Sequence, residues 1–159
     1  AMGILFVPLS LVLSWVFALL NWATPWGAAD PTFSENALAW MFFLPVGIMF
    51  IISGFMHTVL AKSTAESIGW VSNGFQKEIG FASWGIGVAG LVASGMGSDA
   101  WIVLSIVVSF FLLLSAVQHI TEMVKEKNYA PGNTIILISD IGLPVSLWAL
   151  LLSSGSIGS

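Results

Sequence analysis

GFMHTVLAKSTAESIGWVSNGFQKEIG, residues 54–80, runs off the end of one apolar segment carrying His57, turns through a polar hairpin, and enters the next segment through Glu78. A histidine and a carboxylate set just inside neighbouring apolar segments are costly in lipid, so something must justify them. The whole chain shares the character of the flanks. It is 57% hydrophobic and 8% charged, with a mean hydropathy of +0.97, whereas an ordinary soluble domain is about 25% charged. These values define an all-α integral membrane protein with no room for a separate soluble domain.

Outward from the hairpin, the segment before it covers 37–61 and holds Pro45, which is expected to kink the helix or loosen its hydrogen-bond ladder. The segment after it, 78–94, is weakly hydrophobic. Its Gly85, Ala89 and Ala93 repeat at helical spacing, with Gly80, Gly87 and Gly90 adding to the small surface, a pattern that lets helices approach closely and predicts a central place in the bundle. Apolar runs at 4–21, 101–124 and 134–152 complete five expected spans. The first is read as a span rather than a signal peptide, since no Lys or Arg precedes it and 21–25 is a poor cleavage site; if it were cleaved, four spans would remain. On the 101–124 run, Ser105, Ser109, Ala116, His119 and Met123 form one small and polar stripe.

The chain has no cysteine, which excludes disulfides, thiolate metal sites and covalently attached c-type haem. A formal charge of −4, with four Lys and no Arg, argues against nucleic-acid partners. Every Lys (62, 77, 125 and 127) falls in loops on one side of the five-span topology, and the other side carries Asp30, Glu35 and Asp99. The positive-inside rule then places the lysine side in the cytoplasm, with the N-terminus inside and the C-terminus outside.

This topology gathers His57, Glu78, His119, Glu122 and Asp140 in one leaflet, each within roughly 10 Å of a flanking loop at 1.5 Å rise per residue. His119 and Glu122, at i and i+3, resemble half of the metal motif of four-helix bundles, and His57 and Glu78 would complete a four-ligand set. Each also has a structural reading. His57 could bond a neighbouring carbonyl, Glu78 could cap its helix, Glu122 could pair with Lys125, and Asp140 could satisfy Tyr129 or Asn133.

Three strings point to relatives: Ala65-Glu66-Ser67-Ile68-Gly69-Trp70 followed by Phe75-Gln76-Lys77-Glu78-Ile79-Gly80-Phe81-Ala82, then Gln118-His119, then Asn128-Tyr129-Ala130-Pro131-Gly132-Asn133. In order and spacing the chain resembles a family of small prokaryotic multi-pass membrane proteins of unknown function. The resemblance implies that His57, Glu78, His119 and Asn133 belong to the family's pattern, and it supplies no reaction. Gln118 stands where the family has Gly.

The first functional expectation is a divalent metal ion (Zn, Fe or Mn) on His57, Glu78, His119 and Glu122 in a prokaryotic inner-membrane protein. An accessory subunit of a homo-oligomer or larger membrane complex follows, then a small proton-coupled transporter using Asp140 as well. A b-type haem between the two histidines comes last. No P-loop, dinucleotide fingerprint or hydrolase triad pattern occurs, so conventional soluble-enzyme chemistry is not expected.

Overall fold

Local signals explain where each helix starts and stops. A computed structural model describes residues 2–157. After a short 3-10 turn, α1 spans Phe6–Leu19. Thr32 and Glu35 form a capping box that starts α2, which runs Phe33–His57. Pro45 cannot donate to the ladder, and the helix widens around it into a π segment, Phe42–Ile48. A short α3, Ala61–Ser67, sits inside the expected polar hairpin. The side chain of Asn73 caps α4, Gly74–Ala93, by accepting from the Gln76 N–H, so Glu78 lies in the body of the helix and is not its cap. Helix α5 spans Ser98–Glu126 and ends on Lys127 in the left-handed region, at φ 56°. Pro131 opens α6, Pro131–Ser153, at a position where its missing N–H costs little.

Helix α2 is the axis of the bundle. Ala37, Leu38, Met41, Phe42 and Val46 are buried there and join Val108 of α5 and Leu143, Leu147 and Leu151 of α6 in a single core. Helix α1 docks on this core through polar ties. Ser14 donates to the Trp40 carbonyl (3.2 Å), and the Trp15 indole donates to Ser146 Oγ (3.1 Å). The small-and-polar stripe of α5 faces inward as expected, with Ser105, Ser109 and Ala116 buried and Ser109 Oγ accepting from the Trp148 indole at 2.8 Å.

Helix α4 lies beside α2 with its backbone in contact. A Cβ on Gly90 would sit 2.8 Å from Gly47 N and 2.9 Å from Phe42 O, and one on Gly87 would sit 2.7 Å from Ile51 N. Gly80, Ser83, Gly87 and Gly90 therefore form the packed face. Of the expected Gly85–Ala89–Ala93 seam only Ala93 is buried: Gly85 and Ala89 are exposed, with nothing within 4 Å of a Cβ at Gly85. The helix is thus at the rim of the bundle rather than its centre, because only one of its faces is buried.

Among the described residues, three of six helices are long and apolar enough to cross a membrane: α2, α5 and α6. That falls short of the five expected. Helix α1 has 14 residues, fewer than the roughly 20 a span needs. Helix α4 is long enough, at 20 residues, but its glycines and its polar first turns dilute its apolar character. The bundle has two ends. One carries His57, α3 and the α5–α6 loop with all four Lys, and the other carries Trp22, Trp26, Gly95 and Ser154.

Candidate functional site

At the lysine end, the inward stripe of α5 terminates in His119, whose ring meets α6 on two sides. Its Nδ1 lies 2.9 Å from Asn133 Oδ1, and its Nε2 lies 3.9 Å from Asp140 Oδ2. The amide orientation of Asn133 is set by its Nδ2 donating to the Asn128 carbonyl at 3.2 Å. Oδ1 can therefore only accept, and His119 Nδ1 must carry the hydrogen. In the neutral ring this leaves Nε2 as a lone pair turned toward Asp140. Asp140 is 3% exposed and its Oδ2 has no hydrogen-bond partner. A buried carboxylate oxygen that faces a ring nitrogen from beyond hydrogen-bond distance is left without a protein donor, a costly arrangement in an apolar interior.

The α3–α4 loop closes over this pair. The Trp70 indole stacks on the His119 ring, with centroids 5.6 Å apart and planes at 10°. Asn128 Nδ2 donates to the Ile68 carbonyl (2.6 Å) and to Glu122 Oε1 (3.3 Å). Gly69 adopts φ +76°, a conformation side chains disfavour, and its α-carbon faces the Asn128 amide; a Cβ there would be 3.2 Å from Nδ2. Gly132 leaves room for the Ile68 side chain, which a Cβ would strike. The loop before α4 and the loop before α6 thus interlock over one histidine.

The chain matches a family of unknown function, DUF6790, over residues 4–157. It belongs to that family. No curated protein and no solved structure matches it. In this DUF6790 member, the Ile-Gly-Trp and Asn-Tyr-x-Pro-Gly-Asn strings are the two halves of the interlock around His119.

The remaining candidates lie elsewhere. His57 closes α2, and its Nδ1 faces Gln76 Nε2 at 3.4 Å, while the same Gln76 amide donates to the Ala61 carbonyl at 2.9 Å. Glu78 is exposed on α4. Glu122 meets Asn128 rather than Lys125. Among the described residues, no group of three or more His, Asp or Glu side chains is arranged to hold a metal ion. The expected four-ligand set is therefore not assembled: His57 is engaged by Gln76, Glu78 is exposed, His119 is engaged by Asn133 and Glu122 by Asn128. Tyr129 is 61% exposed and does not contact Asp140, and Asn133 serves His119 instead of Asp140. Trp70, Asn128 and Gln76 carry no individual signal of charge, spacing or periodicity in the sequence. All three lie within the family strings, and that was the one available sign of their role.

Proposed function

We propose that this DUF6790 protein is a multi-pass inner-membrane protein of prokaryotes whose His119–Asp140 pair holds and passes a proton, the working element of a small proton-coupled transporter. The carrying observation is the fixed donor at His119 Nδ1 together with an unpartnered Asp140 Oδ2 facing Nε2 at 3.9 Å. A buried ionisable pair on membrane helices is a common element of proton pathways. The gap exceeds direct hydrogen-bond reach and Oδ2 is closed off from water, so a small closing movement of the two side chains would bring the atoms together for the transfer. Trp70 forms a lid over the imidazole, and movement of the α3–α4 loop would expose or cover it. In this reading the lysine end lies in the cytoplasm, α1 and α4 complete five passes, and the exposed face of α4 is open to a second copy or to a partner subunit.

The deciding experiment is proton uptake into proteoliposomes holding an interior pH dye, driven by a potassium diffusion potential. Wild type is expected to acidify the lumen faster than empty vesicles. Asp140→Asn and His119→Gln should abolish the difference, and His57→Gln should retain it. Wild-type uptake equal to that of empty vesicles, or full uptake by Asp140→Asn, would refute the reading.

A further inference from the structure

The outer surface of α5 carries one polar group that the bundle does not use. Gln118 is exposed, two residues and therefore about 200° around the helix from the buried Ala116. A shallow depression beside it is lined by Phe110, Phe111, Leu114 and Ser115, all on α5. The neighbouring hydroxyls are spent within the helix, Ser115 donating to the Phe111 carbonyl (2.7 Å) and Thr121 to the Val117 carbonyl (2.8 Å). The Gln118 amide has no such partner among the described residues, so its donors and its acceptor all face outward.

Depth makes that costly. Asp99 and Glu122 are the charges that bracket the apolar part of α5. A hydrocarbon layer of about 30 Å centred between them takes in about 20 residues, roughly 101 to 120. Gln118 falls inside that layer, where acyl chains offer neither donor nor acceptor. Its face also has a period. Val107, Leu114 and Thr121 are seven residues apart, Gln118 follows Leu114 by four, and all of them are exposed. A repeat of 3.5 residues keeps one face against a parallel helix, and a single amide at a core position of the repeat fixes the register. Lys125, one heptad beyond Gln118, lies at the aqueous end and closes the seam.

Self-complementarity identifies the partner. Two copies inserted the same way are related by a two-fold axis along the membrane normal, which sets Gln118 opposite the Gln118 of a second copy. A carboxamide both donates and accepts, so two of them satisfy each other reciprocally, whereas a carboxylate or an ammonium group would repel its own copy. We infer that the protein forms a parallel homodimer through the outer face of α5, held in register by a Gln118–Gln118 amide pair within the membrane. The inference rests on α5 crossing a membrane, and it uses neither His119 nor Asp140.

Sedimentation equilibrium in density-matched detergent micelles reads the association directly. Wild type is expected to pass from monomer to dimer as the protein-to-detergent ratio rises. Gln118→Leu leaves the core untouched and should raise the dissociation constant about tenfold, the change expected from losing two interhelical hydrogen bonds. The face is tested by cross-linking in proteoliposomes, where the absence of native cysteine makes single substitutions clean. Leu114→Cys should give a disulfide-linked dimer on copper–phenanthroline oxidation, and Val145→Cys on α6 should not, although the two positions are similarly exposed at 63% and 60%. Neither readout involves proton uptake, so failure here would leave the proton reading standing. The inference is overturned by a monomer at every ratio, by Gln118→Leu dimerising as tightly as wild type, or by equal cross-linking of the two cysteine variants. The face would then meet lipid or a different subunit.

Discussion

Two glycines on one helix, five residues apart, should respond oppositely to the same added methyl group. Gly→Ala in a helix interior gains roughly 0.8–1 kcal/mol in backbone propensity wherever the methyl has room. At Gly85 it has room, with nothing within 4 Å of the new Cβ, so Gly85→Ala should be neutral or stabilising by up to about 1 kcal/mol. At Gly90 the methyl would land 2.8 Å from Gly47 N and 2.9 Å from Phe42 O. Both atoms are backbone within α2, so neither can move aside by a rotamer change. Overpacking of that kind costs about 1–3 kcal/mol, which outweighs the propensity gain. The two variants should differ by about 2 kcal/mol, roughly thirtyfold in the unfolding equilibrium. Reversible unfolding in mixed micelles by SDS titration, followed by tryptophan fluorescence, measures the difference. If Gly85→Ala were as destabilising as Gly90→Ala in monomeric protein, the assignment of the packed face would be wrong. A penalty at Gly85 appearing only under conditions of self-association would instead locate a subunit contact on that face.

Asn128→Ala removes both the bond to the Ile68 carbonyl and the bond to Glu122. It should cost about 1–3 kcal/mol in the same assay, and Tyr129→Phe beside it should change nothing, because Tyr129 is exposed. Ser109→Ala strands the Trp148 indole N–H inside the bundle. The expected loss is about 0.6–1.7 kcal/mol, the range of interhelical hydrogen bonds in membranes, and an unchanged unfolding curve would show that the indole finds another acceptor.

The sequence made most of the scaffold legible. The apolar runs at 37–61, 101–124 and 134–152 correspond to α2, α5 and α6, displaced at their ends by one to four residues. The displacements have local causes. Helix α2 starts early because Thr32 and Glu35 form a capping box four residues or so ahead of the apolar run. Helix α4 starts early because Asn73 caps it, drawing the polar residues Gln76, Lys77 and Glu78 into its first turns. The inward stripe of α5 was legible because period 3.6 is a strong pattern and its residues are small. Glycine in α4 was harder to read, since it occurs on more than one face and composition alone does not say which face meets a neighbour.

The site itself shows why a shared depth is a weaker constraint than it looks. Counting residues from the loops places His57, Glu78, His119, Glu122 and Asp140 near one end of the bundle, and the contacts at that end agree with this. Depth fixes one coordinate, however, and a binding site needs three. The azimuth of each side chain is set by the helix phase, and the neighbour it meets is set by which helices adjoin. Helix α4 adjoins α2, so His57 meets Gln76; α6 adjoins α5, so His119 meets Asn133 and Asp140. The two histidines therefore belong to two separate helix pairs. What joins those pairs is the backbone of the loop at 68–70, tied down by Asn128 and pressed onto His119 through Trp70. If protonation of the His119–Asp140 pair alters the stacking of Trp70, that loop is the element through which the change would reach α4.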